Sequence, residues 1–301
     1  MPELEFGIKA PYNFTRSLKF CQRSRFEIVD QAGPNILRRV LVIDTVPLLV
    51  EITAPGSTHR PRGHARWRSL DGRRVKCERL LPVVKHILAA DLDLKPFYRL
   101  VKQTGRLRPL VEKLDGLKPI LTPTPFEAAA WAIMGQQVNL NFAYTLKKRL
   151  VEKYGQRFPV DGTAYFAFPL PESLFRVRLA SLRKMQFSER KAEYMINLIR
   201  LVKGDPDFLG RLNVLSYKNA IEQLLSVRGF GIWSANYILM RGVGHTDCLP
   251  LGDSGLTRAV EKMYELDDRP DNDTIERLAA PLEPYRSLYT LYLWFYLMEG
   301  I

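Results

Sequence analysis

Over roughly the first 95 residues the apolar positions recur with the short period of β-strands, and beyond them with the longer period of helices. Residues 38–44 and 48–53 alternate or run β-branched, with Pro47 at the break between them, which predicts two strands. Residues 64–70 and 73–80 flank Asp71-Gly72, a dipeptide suited to a type I′ turn, and predict a hairpin. From Leu81 the period becomes 3.6. Helices are expected over residues 81–90, 126–134, 140–154, 172–179, 188–203, 217–227, from just after Asp253 to about 264, and 285–298. Pro125 suits the first position of one of them, and Gly155 the C-cap of the next. Thr122-Pro123-Thr124-Pro125 and Phe168-Pro169-Leu170-Pro171 read as extended connectors. The fold class is α+β: a β-rich domain over residues 1–95, then an all-α body over residues 96–301, without internal repeats.

Charge narrows the choice of partner. Lys plus Arg number 45 against 32 Asp plus Glu, a net charge of +13 that favours a polyanion. The chain contains no apolar run of about 18 residues, and residues 1–9 lack a signal-peptide core. The expectation is a cytoplasmic protein that avoids membranes, and nothing in the pattern calls for more than a monomer. Cys21, Cys77 and Cys248 are too scattered for a disulfide framework or a metal cluster, and His59, His64, His86 and His245 lack ligand spacing. Neither zinc nor an iron-sulfur cluster is expected.

Candidate chemistry concentrates in Leu224-Leu225-Ser226-Val227-Arg228-Gly229-Phe230-Gly231-Ile232-Trp233-Ser234-Ala235-Asn236-Tyr237, followed by Arg241-Gly242 and Gly252-Asp253. Two glycines around one residue, between apolar helices, describe a turn with uncovered backbone amides at a helix N-terminus. Such a turn can grip a phosphate. Gly-x-Gly alone occurs in many helical turns, so its surroundings decide.

With Pro125-Phe126-Glu127, Ala132-Ile133-Met134-Gly135-Gln136-Gln137-Val138, Lys191-Ala192 and Tyr285-Arg286-Ser287 through Trp294, the pattern resembles the helix-hairpin-helix DNA glycosylases. Within that superfamily it is most similar to the AlkA-type DNA-3-methyladenine glycosylases II. The match is good from Leu121 to Glu299 and looser over the front. The resemblance implies an N-terminal TBP-like domain and a body of two helical subdomains with a cleft between them.

It also implies roles for particular residues. Asp253 matches the catalytic aspartate, although an Asp before a helix is by itself an ordinary N-cap. A fixed carboxylate beneath the sugar stabilises the positive charge that grows on C1′ as a base departs. Trp233 stands where strand-cleaving relatives carry a Schiff-base lysine, so the expected enzyme is monofunctional and uses water. Trp233, Tyr237 and Trp294 are expected to wall a pocket for an extruded base, the plainer reading being core packing. Ser254 replaces a tyrosine of the pocket. Gln137, with Gln136 beside it, falls at the wedge that fills the gap left by a flipped nucleotide; a polar helix end explains it equally simply. Arg228, Gly229 and Gly231 are expected on the DNA backbone. The carbonyls of Leu225, Val227 and Phe230 match those that hold a structural Na+ or K+, and no other cofactor is expected.

The implied function is removal of alkylated purines from double-stranded DNA. The alternatives are a glycosylase for oxidised or deaminated bases such as 8-oxoguanine or hypoxanthine, and a helix-hairpin-helix protein that binds DNA without chemistry. The basic run Arg60, Arg62, Arg66, Arg68, Arg73, Arg74 and Lys76 offers a second DNA contact, but alternating charges usually mark a solvated strand face.

Overall fold

A computed structural model describes residues 1–301. Its first part contains β1 (Glu3–Gly7), α1 (Phe14–Leu18), β2 (Gln31–Ala32), β3 (Leu37–Ile43), β4 (Val46–Thr53), β5 (Gly56–Ser57), β6 (Arg60–Ser69) and α2 (Cys77–Ile87). The strands form an antiparallel sheet of order β1-β6-β4-β3-β2, with β5 paired to β6. Leu37, Leu48, Val50, Ile52, Ala65 and Trp67 of the sheet share a core with Leu80, Val84 and Ile87 of α2. Burial of such side chains is the main force holding the layers together.

Two sequence expectations shift here. Pro47 lies inside β4, opposite Val42, and the strand break falls at Asp44-Thr45, both with positive φ (49° and 68°). Residues 73–80 are not a strand. The Asp71 carboxylate accepts the Arg73 backbone N–H, and the turn leads into α2. The exposed face of β6 does carry Arg62, Arg66 and Arg68, but Arg66 pairs with Glu51 and Arg68 with Asp161, 3.1 Å away.

The body comprises α3 (Lys95–Val101), α4 (Arg108–Lys113), α5 (Pro125–Gly135), α6 (Leu140–Tyr154), β7 (Arg157–Val160), β8 (Thr163–Phe166), α7 (Pro171–Leu174), α8 (Leu179–Lys184), α9 (Glu189–Gly204), α10 (Tyr217–Leu225), α11 (Ile232–Ile238), α12 (Ser254–Tyr264), α13 (Asn272–Ala279) and α14 (Arg286–Glu299). The β7–β8 hairpin corrects the expectation of an all-α body. It meets the sheet through a parallel bridge between Val40 and Ala167, so it serves as a seam between the two parts. The helix expected over residues 172–179 is only the single turn α7, because a bend precedes α8.

Helix α5 runs through the middle of the larger core, with Ala128, Ala129, Ala130 and Ala132 fully buried. Its small side chains admit the segment after α11, where five residues, Leu239–Val243, wind as a π-helical turn. A Cβ on Gly242 would stand 2.8 Å from that of Ala128, so this crossing requires glycine. Phe20 and Val29, although early in the chain, pack into the body's core and not the sheet's.

Candidate active site

Asp253 is the N-cap of α12. Its Oδ1 accepts the Leu256 backbone N–H at 2.8 Å and the Trp294 indole N–H at 3.0 Å, while Oδ2 accepts the Trp233 indole N–H at 3.0 Å. Three donors from three helices therefore fix the direction of one half-buried carboxylate. Gly255 keeps the space beside it clear, since a Cβ there would stand 3.1 Å from Oδ1.

The aromatic residues expected near this carboxylate do assemble. Trp233 and Tyr237, one turn apart on α11, stack with centroids 5.4 Å apart, and Tyr237 lies 6.3 Å from Trp294 of α14. A fourth ring comes from the N-terminal part of the chain: Phe20 lies 6.2 Å from Trp294. The sequence reading missed Phe20 because it stands far from the motif and resembles any apolar residue following a short helix.

The segment leading to Asp253 is held by polar anchors. Asn236 Oδ1 accepts from the Tyr217 hydroxyl (2.7 Å) and from the Leu249 backbone N–H (3.0 Å). Ser287 Oγ accepts from the Cys248 backbone N–H at 2.8 Å, and Arg286 holds both oxygens of Asp247 at 2.6 and 2.7 Å. Asp247 is thereby engaged in structure.

The turn between α10 and α11 has the expected open backbone. Gly229 has φ +108°, and its missing Cβ leaves room for the Tyr194 ring, which a methyl group would approach within 2.5 Å. Gly231 differs: its φ of −104° is one that any residue adopts, and open space lies in front of it. No backbone carbonyl accepts from the N–H groups of Gly229, Gly231 or Ile232. Arg228 projects into solvent, 3.3 Å from Glu193.

Gln136 belongs to this turn. Its side-chain N–H groups donate to the Gly229 carbonyl at 2.7 Å and to Ser234 Oγ at 3.0 Å, so its amide nitrogen is used in bracing the hairpin. Lys191 Nζ donates to the Met134 carbonyl at 2.6 Å, and burial pushes its pKa down to about 8. Gln137 is exposed at the turn after α5 with φ +51°, and Ser254 is the exposed first residue of α12. Of the carbonyls expected to hold a monovalent cation, Leu225 and Phe230 accept no backbone hydrogen bond, while Val227 accepts one from Phe230 at 3.0 Å. Oxygens so free suit a hard monovalent ion.

Residues 130–284 match a family described as HhH-GPD superfamily base excision DNA repair protein. The chain belongs to this superfamily. It is a DNA repair glycosylase of the AlkA type. A DNA-3-methyladenine glycosylase of Bacillus subtilis is 30% identical over 286 residues, covering 94% of this chain and 93% of the relative. Among solved structures, the 3-methyladenine DNA-glycosylase of Archaeoglobus fulgidus superposes with a TM-score of 0.83 over 98% of both chains at 22% identity. The Clostridium acetobutylicum 8-oxoguanine glycosylase/lyase in complex with DNA gives 0.75 at 15% identity, covering 100% of this chain and 98% of that one. The likeness of fold to these structures extends over the N-terminal sheet as well as the helical body.

Proposed function

We propose that this glycosylase acts alone on duplex DNA inside the cell, releasing alkylated purines of the 3-methyladenine type by direct hydrolysis. The observation that carries the reading is the Asp253 carboxylate, fixed by two indoles within a cluster of aromatic rings, beside a hairpin with free amides. The Bacillus subtilis relative bears the same activity in its name.

The chemistry follows from these groups. Purines alkylated at N3 or N7 are cationic, so an aromatic face attracts them by about 0.5–2 kcal/mol. A cationic base is also a good leaving group and needs no dedicated acid. As the base leaves, positive charge develops on C1′ and the carboxylate of Asp253 stabilises it electrostatically. The same carboxylate orients the attacking water and takes its proton. Trp233 offers no amine at the position of a Schiff-base lysine, which supports hydrolysis without strand cleavage.

Gln137 fills the gap in the duplex left by the extruded nucleotide and meets the orphaned partner base. The amides of Gly229 and Gly231, with Arg228, hold the backbone. The carbonyls of Leu225, Val227 and Phe230 would hold Na+ or K+, whose charge strengthens that grip without entering the chemistry. Incubating the protein with methylated duplex DNA and identifying the free bases by mass spectrometry tests the reading. Release of 3-methyladenine is expected; release of 8-oxoguanine or hypoxanthine from suitable duplexes, with none from methylated DNA, would overturn it.

A further inference from the structure

Trp233, Tyr237 and Arg241 follow one another at intervals of four residues, and the third has no role in the chemistry above. Arg241 is only 5% exposed, and its Nε and Nη1 have no hydrogen-bond partner. Its guanidinium lies 4.1 Å from the centre of Phe20. It borders a cavity of about 40 Å³ that Phe20 and Tyr237 also line, together with Thr122, Glu27 and Asp30. Two rings of the aromatic cluster beside Asp253, Phe20 and Tyr237, are therefore also walls of this cavity.

The carboxylates around the cavity pair with other cations, although Glu127 Oε1 accepts no hydrogen bond. Arg39 pairs with Asp30 at 2.6 Å and with Glu127 at 2.9 Å, and Lys147 pairs with Glu27 at 2.8 Å. Arg241, whose charge helps hold the Asp30 carboxyl ionised, donates no hydrogen bond from Nε or Nη1. Buried polar groups are seldom left so, and an orphaned one calls for a partner that arrives from outside. The cavity has room for water in the free protein, and a base edge entering from the pocket would replace it.

We infer that Arg241 is a specificity-determining residue that donates to the acceptor edge of the extruded purine and favours 6-oxopurines over 6-aminopurines. A guanidinium offers donors only. The O6 and N7 of a guanine accept two such donors at once. In an adenine the 6-amino group sets a donor where O6 would stand. Alkylation at N3 leaves the O6/N7 edge free, so 3-methylguanine and 3-methyladenine differ at the point where Arg241 reads.

The inference rests on the proposed glycosylase reading, and its test separates the two. Single-turnover release of both 3-methylpurines from methylated DNA is compared between the wild type and Arg241→Met. The ratio of 3-methylguanine to 3-methyladenine should fall about tenfold in the variant, with Arg241→Lys in between. Equal loss of both bases, or an unchanged ratio, overturns the role of Arg241; release of neither by the wild type overturns the glycosylase reading instead. A second arm needs no variant: free hypoxanthine and free adenine are titrated into the wild type while tryptophan fluorescence is followed. Hypoxanthine should bind about tenfold more tightly, and equal or weaker binding rejects the inference even if Arg241→Met does not fold.

Discussion

Trp233 reaches across the site to give its indole N–H to Oδ2 of Asp253 at 3.0 Å, so the same side chain that stacks on Tyr237 also aims the carboxylate. Replacing Asp253 with Asn keeps an N-cap, since Asn caps helices as well as Asp does. Folding and DNA binding should therefore survive. Base release should drop by at least about 100-fold, a loss of about 2.7 kcal/mol of transition-state stabilisation. Unchanged release in a single-turnover assay would remove Asp253 from the mechanism. Trp233→Phe retains a ring but loses one charge-assisted hydrogen bond, worth about 1.5–3 kcal/mol, and should lower the rate by about tenfold or more.

Borohydride should not trap a covalent complex with lesion-bearing DNA. Trapping requires an amine at C1′, and position 233 supplies an indole already committed to Asp253. A stable adduct on a denaturing gel would show that another amine takes part.

Gly229→Ala should weaken both stability and DNA affinity. The substitution places a Cβ at φ +108° and within 2.5 Å of the Tyr194 ring, strain of about 1–3 kcal/mol. Thermal melting and fluorescence anisotropy measure the two effects, and unaltered affinity would show that the hairpin does not hold the backbone.

Duplex affinity should fall steeply with salt, because each neutralised phosphate adds about 0.9 to the slope of log K against log[salt]. Arg228→Ala should reduce that slope by about one unit. A slope equal to that of the wild type would place Arg228 off the DNA.

Lys191 gives a pH prediction. Burial lowers its pKa from 10.5 to about 8. Between these values the unfolded chain keeps a proton that the folded chain has released, so this group alone makes stability rise with pH through that window. In urea denaturation at pH 8 and pH 10, the wild type should gain stability relative to Lys191→Met. A constant difference would mean that Lys191 does not titrate there.

Much of the site was legible because it is local in sequence. The hairpin, the Trp233/Tyr237 spacing and the capping position of Asp253 are set by short-range periodicity and glycine placement. The meeting of Trp294 with Asp253, 41 residues away, was accessible only through the resemblance to known glycosylases. Phe20 and the free guanidinium of Arg241 were not legible at all, since burial and pairing depend on tertiary neighbours that periodicity does not name. Gln136 was read beside Gln137 as substrate-facing, yet the chain leaves the helix at Gln136 in an extended conformation (ψ 128°) and its amide turns back onto Gly229. In the sheet, Pro47 misled because proline usually breaks a strand, whereas here Asp44 and Thr45 accept the left-handed conformation that the turn needs.

Phe20 belongs to a stretch of chain that precedes the sheet's central strands but packs with the helices. One ring of the candidate site is thus supplied from a part of the chain remote from the motif that carries Asp253. A substitution at Phe20 changes the ring beside Trp294 without altering any residue that donates to the carboxylate. Two distant stretches of the chain must therefore fold together before the aromatic cluster beside Asp253 is complete.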